Sequence, residues 1–343
     1  MKKNLLAFIF TLIFLIIGFF MHYFVVSFLS QAYFLFVSPA FWSLAFLLVF
    51  IIEAYVAHTQ FNLLGRIAYY LFGFHLGLLW ISFSVGLFFS VLVMFFDVYL
   101  FYFSVVTAIV LYGVGNAWFV RVRKVRIKKG HKLKIAHISD LHLGPVLRQE
   151  FLESIIKKVN SLKPDVICIT GDIIEDARWF DGLKVFDKFK APVYAVLGNH
   201  DMLRTVNEKL QLLKKTKVKI LRNENELCCG VNIIGINETL PLKGRVKNVL
   251  TRAYEAENLN ILLTHQPITF RLLKGYPVDL ELAGHTHGGQ IFPFALIIKL
   301  FYPAYRGLYH KNGKYIHVSQ GTGFWGPPIR FMTNNEISII EIE

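Results

Sequence analysis

Nine side chains able to bind cations or move protons fall into five short polar groups: Asp140-Leu-His142, Gly171-Asp172, Gly198-Asn199-His200-Asp201, His265 and Gly284-His285-Thr286-His287. They supply three carboxylates, one carboxamide and five imidazoles, with no thiolate among them. Oxygen and nitrogen donors in this mixture suit Mn, Fe or Zn rather than Ca or a structural zinc. Two cations held about 3.5–4 Å apart need a ligand that touches both, because a shared carboxylate offsets their repulsion. Asp172, alone after its glycine, is the natural bridge. The chemistry expected of such a pair is hydrolysis, with water made acidic enough to react near neutral pH.

Each polar group directly follows an apolar run: KIAHIS before Asp140, VICIT before Gly171, VYAVL before Gly198, ILLT before His265 and LELA before Gly284. These runs read as buried strands, so the groups sit at strand carboxyl ends, where α/β sheets bind ligands. Five groups in this order resemble the signature of the calcineurin-like metallophosphoesterases, D-x-H, G-D, G-N-H-[DE], H and G-H-x-H, over roughly residues 130–343.

The resemblance implies that Asp140, His142, Asp172 and His287 hold a first metal and that Asp172, Asn199, His265 and His285 hold a second. It implies that His200 faces the scissile phosphate as general acid or charge stabiliser, with Asp201 orienting its ring. The runs GHTHGGQIFPF and GTGFWGPPIRF are similar to the membrane-associated branch that includes UDP-2,3-diacylglucosamine pyrophosphatases.

Charge is distributed unevenly. Of 60 charged residues, only Lys2, Lys3, Glu53, Arg66 and Asp97 precede Arg121. Apolar stretches at 4–29, 32–56, 67–94 and 98–120 each reach the ~20 residues a helix needs to cross ~30 Å of hydrocarbon. Four spans are expected, with three as the alternative because Asp97 alone interrupts the last two stretches. The first stretch exceeds the 7–15 apolar residues of a cleaved signal.

With four spans, Lys2 and Lys3, Arg66 and RVRKVRIKK at 121–129 fall on one side, which the positive-inside rule makes cytoplasmic. The expected organisation is a helical membrane domain at 1–120, a basic juxtamembrane linker at 121–130 and the metallophosphoesterase domain at 131–343. The expected location is the inner (cytoplasmic) membrane, with the catalytic domain facing the cytoplasm.

Residues 121–343 carry 34 Lys and Arg against 21 Asp and Glu, almost the whole net charge of +14. The sequence shows no nucleic-acid recognition motif, so the nearest anionic partners of a tethered domain are lipid headgroups. Three cysteines, Cys168, Cys228 and Cys229, form no disulfide framework and read as small strand or core residues in a reducing compartment.

Apolar runs alternate with helical patterns at 148–162 and 205–215, then with shorter strand patterns. A hairpin is expected from 223–229 and 231–236 joined at Gly230, and late strands at 314–319 and 336–342 should complete a second sheet. With the resemblance, this predicts two packed mixed β-sheets flanked by helices, behind an α-helical membrane domain.

One apolar segment, Ile291–Tyr309, follows the last histidine group. It reads either as a buried strand and loop or as an apolar wall that, with Phe324 and Trp325, admits acyl chains. Arg330 and Arg306 are candidates to clamp phosphate oxygens. His22 and His75 lie within expected membrane helices, where ionisable groups call for a functional hypothesis by default, the favoured alternative being neutral histidines bonded between helices. His131, His137, His310 and His317 match no motif.

The activity expected is hydrolysis of UDP-2,3-diacylglucosamine to UMP and 2,3-diacylglucosamine 1-phosphate, with two divalent ions, Mn²⁺ foremost. The alternatives are another phospholipid phosphodiester, a phosphoprotein, or a non-enzymatic membrane sensor or transporter with a metal-binding domain.

Overall fold

The computed structural model describes residues 2–31, 38–93, 96–179, 183–203, 206–237, 242–268 and 270–343. The chain divides into two compact units, one of residues 1–115 with 326–329, the other of residues 116–325 with 330–343.

The first unit contains α1 (Lys2–Ser30), α2 (Pro39–Thr59), α3 (Leu63–Leu92) and most of α4 (Tyr99–Trp118). Among the described residues these four are long and apolar enough to cross a membrane. Twenty or more residues at 1.5 Å per residue span the hydrocarbon core. Their ends follow from local chemistry. Pro39 opens α2 behind the Ser38 cap, and the Asn62 side chain accepts from the Gly65 amide at 3.1 Å to start α3. Asp97 lies between α3 and α4, so the fourth stretch is a separate helix. Positions 32–37 and 94, within the expected second and third stretches, lie outside the described residues.

The second unit is a four-layer sandwich. One sheet has the order β1-β12-β2-β3-β4-β5 and the other β10-β11-β9-β8-β7-β6. In chain order these strands are β1 (Val120–Ile127), β2 (Leu133–Ile138), β3 (Val166–Thr170), β4 (Val193–Val196), β5 (Val218–Ile220), β6 (Glu224–Cys228), β7 (Val231–Gly235), β8 (Leu259–Leu263), β9 (Leu280–Ala283), β10 (Gly307–Lys311), β11 (Lys314–Val318) and β12 (Asn335–Ile342).

Ile135, Cys168 and Val196 from the first sheet pack against Ile233, Ile261 and Leu282 from the second. The outer face of the first sheet is covered by α5 (Gln149–Leu162), whose buried residues Leu152, Ile155, Ile156 and Val159 recur at helical spacing. The outer face of the second is covered by α7 (Leu242–Ala253). Burial on both faces explains why β3 and β8 read as continuous apolar runs rather than alternating ones.

Three expectations are corrected here. The basic run at 121–130, expected as a linker, is mostly β1, an edge strand paired in parallel with β12. The last strand belongs to the first sheet, between β1 and β2, while β11 alone joins the second. Of the cysteines, Cys168 is buried in β3, but Cys229 is exposed in the two-residue turn linking β6 and β7. That turn has φ of 56° at Cys229 and 75° at Gly230, the positive pair that a tight hairpin needs. The expected helix at 205–215 is α6 (Val206–Leu213), with position 205 outside the described residues.

Candidate metal centre

Strands β2, β3 and β4 run parallel in the first sheet, and β7, β8 and β9 in the second. Parallel strands end together, so the five polar groups gather at one edge of the sandwich. The chain leaves these strands through left-handed backbone: φ is 51° at Asp140, 44° at His142, 51° at Asp172, 71° at His285 and 49° at His287. Asp and His tolerate this region better than most residues, and such strain persists where the surroundings fix it.

Close approach also explains the glycines. A Cβ on Gly284 would stand 2.4 Å from the Asp140 carboxylate, and one on Gly171 would stand 2.6 Å from His265 Nδ1.

The side chains converge in two overlapping groups. Around the first, His142 Nε2 lies 3.2 Å from His287 Nε2 and 3.6 Å from Asp172 Oδ2, and His287 Nε2 lies 3.5 Å from Asp140 Oδ1. Around the second, His265 Nε2 lies 2.9 Å from Asn199 Oδ1, 3.1 Å from His285 Nδ1 and 3.2 Å from Asp172 Oδ2. Asp172 belongs to both.

The donors fit a cation. His265 Nδ1 donates to the Thr170 carbonyl at 2.9 Å, so Nε2 of the neutral ring is a bare lone pair facing two acceptor oxygens. His142 repeats the pattern, since its Nδ1 donates to Glu175 at 2.8 Å while its Nε2 faces the Asp172 carboxylate. Only positive charge reconciles acceptors gathered in this way. Separations near 3.0–3.4 Å are also those of neighbouring ligands bound at about 2.1 Å to one ion.

The electrostatics agree. Burial opposes charge on His265, but the Asp172 and Asp140 carboxylates outweigh it and push the ring up to about 10. His285, partly buried beside His265, is driven down to about 3 by desolvation and by that neighbouring ring. Burial likewise opposes ionisation of Asp172, yet the surrounding histidines hold it well below the usual carboxylate range.

Two expected roles are corrected. Asp201 does not touch the His200 ring. Its buried carboxylate accepts from the amides of Ile173, Ile174 and Gly198, each at 3.0 Å, fixing the turn after β4 against the turn after β3. The group facing the ring is Glu175, whose Oε1 accepts from His200 Nδ1 at 3.1 Å while its Oε2 holds His142. The carboxylate therefore ties a metal-site imidazole to the expected acid, a pairing that orients ligands and strengthens them.

Arg330 is not placed to clamp phosphate. It is fully buried and donates to the carbonyls of Gln320 and Gly323 at 2.7 Å and to His287 Nδ1 at 3.1 Å. Because arginine only donates, a cation bound through His287 Nε2 would move the ring proton to Nδ1 and displace that contact. Arg306 is exposed beside the His287 loop, with its guanidinium 5.3 Å from the Tyr305 ring and one NH donating to the Met332 carbonyl.

The segment Ile291–Tyr309 is not a buried strand over most of its length. It carries α8 (Phe294–Phe301), whose Ala295 packs inward while Leu296, Leu300 and Phe301 are 59, 81 and 72% exposed. The tyrosine that follows, Tyr302, packs its ring 5.4 Å from His285. Across the site, Trp325 packs 5.3 Å from His200, and its backbone exchanges two hydrogen bonds with the Gln290 side chain. Aromatic and apolar surface thus borders the candidate ligands on two sides.

The model of the family called calcineurin-like phosphoesterase matches residues 133–289. An uncharacterized metallophosphoesterase of Campylobacter jejuni is 39% identical over 222 residues, covering 62% of this chain and 59% of the relative. One of Aquifex aeolicus is 35% identical over 254 residues, covering 68% and 95%. A bovine transmembrane protein with metallophosphoesterase domain is 33% identical over 239 residues, covering 61% and 52%. The chain spans about three fifths of the length of the curated relatives it matches first. With this similarity and a His/Asp cluster compatible with two metals, the chain belongs to the calcineurin-like metallophosphoesterases, and its described residues include four helices long and apolar enough to cross a membrane.

Proposed function

We propose that this phosphoesterase acts on an amphiphilic substrate, a phosphoester or diphosphate carrying acyl chains, at the cytoplasmic face of a membrane. The observation that carries the reading is α8. A short helix with Leu296, Ile297, Leu300 and Phe301 turned outward begins a few residues after His287, and exposed apolar surface of this kind marks an interaction site. UDP-2,3-diacylglucosamine is the specific substrate we propose, because it joins a diphosphate to two acyl chains. Orientation rests on charge: with four spans, Lys2, Lys3, Arg66 and the basic β1 share one side, and the positive-inside rule places it in the cytoplasm. The anionic headgroups there would be the nearest counterions of the basic domain.

In this reading Asp140, His142, Asp172 and His287 would hold one divalent ion, and Asp172, Asn199, His265 and His285 the other. Mn²⁺ is the ion proposed. When bound, the pair supplies Lewis acidity toward the phosphate oxygens and lowers the pKa of water. The chain itself does the rest. Glu175 fixes the His200 ring so that Nε2 is free to give a proton to the departing oxygen, Trp325 limits where that ring can turn, and Tyr302 packs on the opposite ligand, His285. Arg306 is the proposed contact for a substrate phosphate or headgroup.

The test is release of UMP from UDP-2,3-diacylglucosamine by detergent-purified protein with Mn²⁺. Asp172→Ala and His200→Ala are compared with it, and bis-nitrophenyl phosphate serves as a small substrate. A triple variant with Leu296, Ile297 and Leu300 changed to Ser should raise KM for the acylated substrate and spare the small one. Cleavage of the small substrate alone would redirect the search to another lipid phosphodiester. Equal loss on both substrates in the triple variant would refute the acyl-binding role of α8.

A further inference from the structure

The membrane helices carry a second set of titratable side chains, independent of the phosphoesterase site. His22 on α1, Glu53 on α2 and His75 on α3 form a bonded chain. His22 Nδ1 donates to the Gly18 carbonyl at 2.8 Å, the two Nε2 atoms lie 3.1 Å apart, and His75 Nδ1 lies 3.0 Å from Glu53 Oε2. The surroundings are apolar: Phe46 stacks on His22, Phe50 meets His75 edge-on, and a cavity of about 40 Å³ beside His22 is lined by Phe14, Leu47, Phe50, Leu76 and Leu79. Polar groups in such a place must satisfy one another.

Counting hydrogens fixes the state of the chain. The Gly18 carbonyl only accepts, so His22 carries its hydrogen on Nδ1 and, as a neutral ring, presents a bare Nε2. His75 must then place a hydrogen on its own Nε2. Either Glu53 is protonated and donates to a neutral His75, or Glu53 is ionised and His75 is an imidazolium. Both descriptions contain the same single proton and are net neutral. Without it, the one hydrogen left on His75 can serve only one contact, leaving either two bare nitrogens facing each other at 3.1 Å or a bare nitrogen facing the carboxylate at 3.0 Å.

The alternative of a metal between the rings is decided by their alignment. An imidazole nitrogen lies about 1.15 Å from its ring centre, given ring bonds of about 1.35 Å, so a straight N–H···N contact of this length puts the centres about 5.4 Å apart. The observed separation is 5.3 Å, almost straight. In the metal centre, His265 and His285 have the same 3.1 Å nitrogen separation but ring centres only 4.9 Å apart, so both rings bend toward a third point. The bend fits a shared ion, and the straight contact fits a shared proton.

We propose that Glu53, His75 and His22 are an intramembrane proton-binding site, holding one shared proton that clamps α1 to α2 and α3. The groups facing the proton are one from each of these helices. Of the other ionisable side chains, His58 on α2 donates to the Ala54 carbonyl and packs on Tyr69 and Phe72, and Tyr102 on α4 donates to the Ser82 carbonyl. Removing the shared proton breaks one of the two contacts that join the three helices.

The experiment uses the full chain in lipid nanodiscs with ¹⁵N-labelled histidine. Nitrogen–nitrogen coupling between His22 and His75 across the hydrogen bond is expected at neutral pH, and it should vanish in His22→Gln. The melting temperature of the wild type should fall on the alkaline side. In Glu53→Gln, whose amide can donate to His75 without a proton to lose, that fall should flatten while the coupling persists. An equal alkaline fall in both proteins would overturn the proposal. So would a metal equivalent beyond those of the phosphoesterase centre that disappears with His22→Gln.

Discussion

Replacing Glu175 by glutamine keeps the shape of the side chain and removes the charge that two histidines share. In the wild type both carboxylate oxygens accept, one from His142 Nδ1 at 2.8 Å and the other from His200 Nδ1 at 3.1 Å. A glutamine oxygen can accept from one ring only, and its amide then points an N–H at the N–H of the other. The retained bond falls from charge-assisted strength to about 1 kcal/mol, and the other is lost with its donor left unsatisfied, for a total of about 3–4 kcal/mol. At about 1.4 kcal/mol per factor of ten, and divided between the two rings, this predicts metal half-saturation raised about tenfold and kcat lowered about 10- to 100-fold.

The assay is hydrolysis of bis-nitrophenyl phosphate across a Mn²⁺ titration, with melting measured on the same samples. Asp201→Asn is the comparison. Its side chain holds three backbone amides, so the variant should melt about 5–10 °C lower yet keep most of its kcat while folded. Glu175→Gln with wild-type kcat and metal dependence, beside an inactive but stable Asp201→Asn, would refute the assignment and restore Asp201 as the partner of His200.

Other outcomes follow from the same geometry. Chelation should abolish hydrolysis and lower the melting temperature, because Asp140 and Asp172 are buried beside each other without the cations that offset them, whereas Asp172→Asn, which removes one of the two charges, should abolish hydrolysis without chelator. Arg330→Met should destabilise the second unit by several degrees by orphaning the Gln320 and Gly323 carbonyls, and should leave KM for substrate unchanged in the folded fraction. Buried Glu281 is pushed up to about 8 by desolvation, and its Oε2 has no hydrogen-bond partner among the described residues. A raised carboxyl binds its proton more tightly folded than unfolded, so stability should decline between about pH 4.5 and 8, and Glu281→Gln should remove that part of the decline in a melting series.

How much was legible in the sequence depended on how local each signal was. The convergence of the candidate ligands could be read because each lies in the turn immediately after its own strand, and strand order in a parallel sheet carries such turns to one edge whatever the intervening loops do. The four membrane helices were equally plain, since twenty apolar residues in a row need no partner to be recognised. The last strand was placed in the wrong sheet because pairing of β12 with β1 and β2 joins segments some two hundred residues apart, and nothing in residues 335–342 states which edge they will meet. The alternation Val-Arg-Val-Arg before Lys124 was a strand signal, but the same charges also served as a topology signal.

The error over Asp201 has a sharper cause. Adjacency in sequence suggested that Asp201 would orient His200, yet in a tight turn successive side chains leave in different directions. Asp201 points back to the amides at 173, 174 and 198, while His200 projects into the site. The ring is then met by a side chain from the neighbouring turn, three residues beyond the bridging Asp172. Glu175 is visible in GDIIED as one acid among several, and only the parallel pairing of β3 with β4 brings it to His200. The candidate ligands are fixed by their own strand ends. Those that orient them are fixed by which strands lie side by side, and that is a property of the sheet rather than of any short stretch of chain.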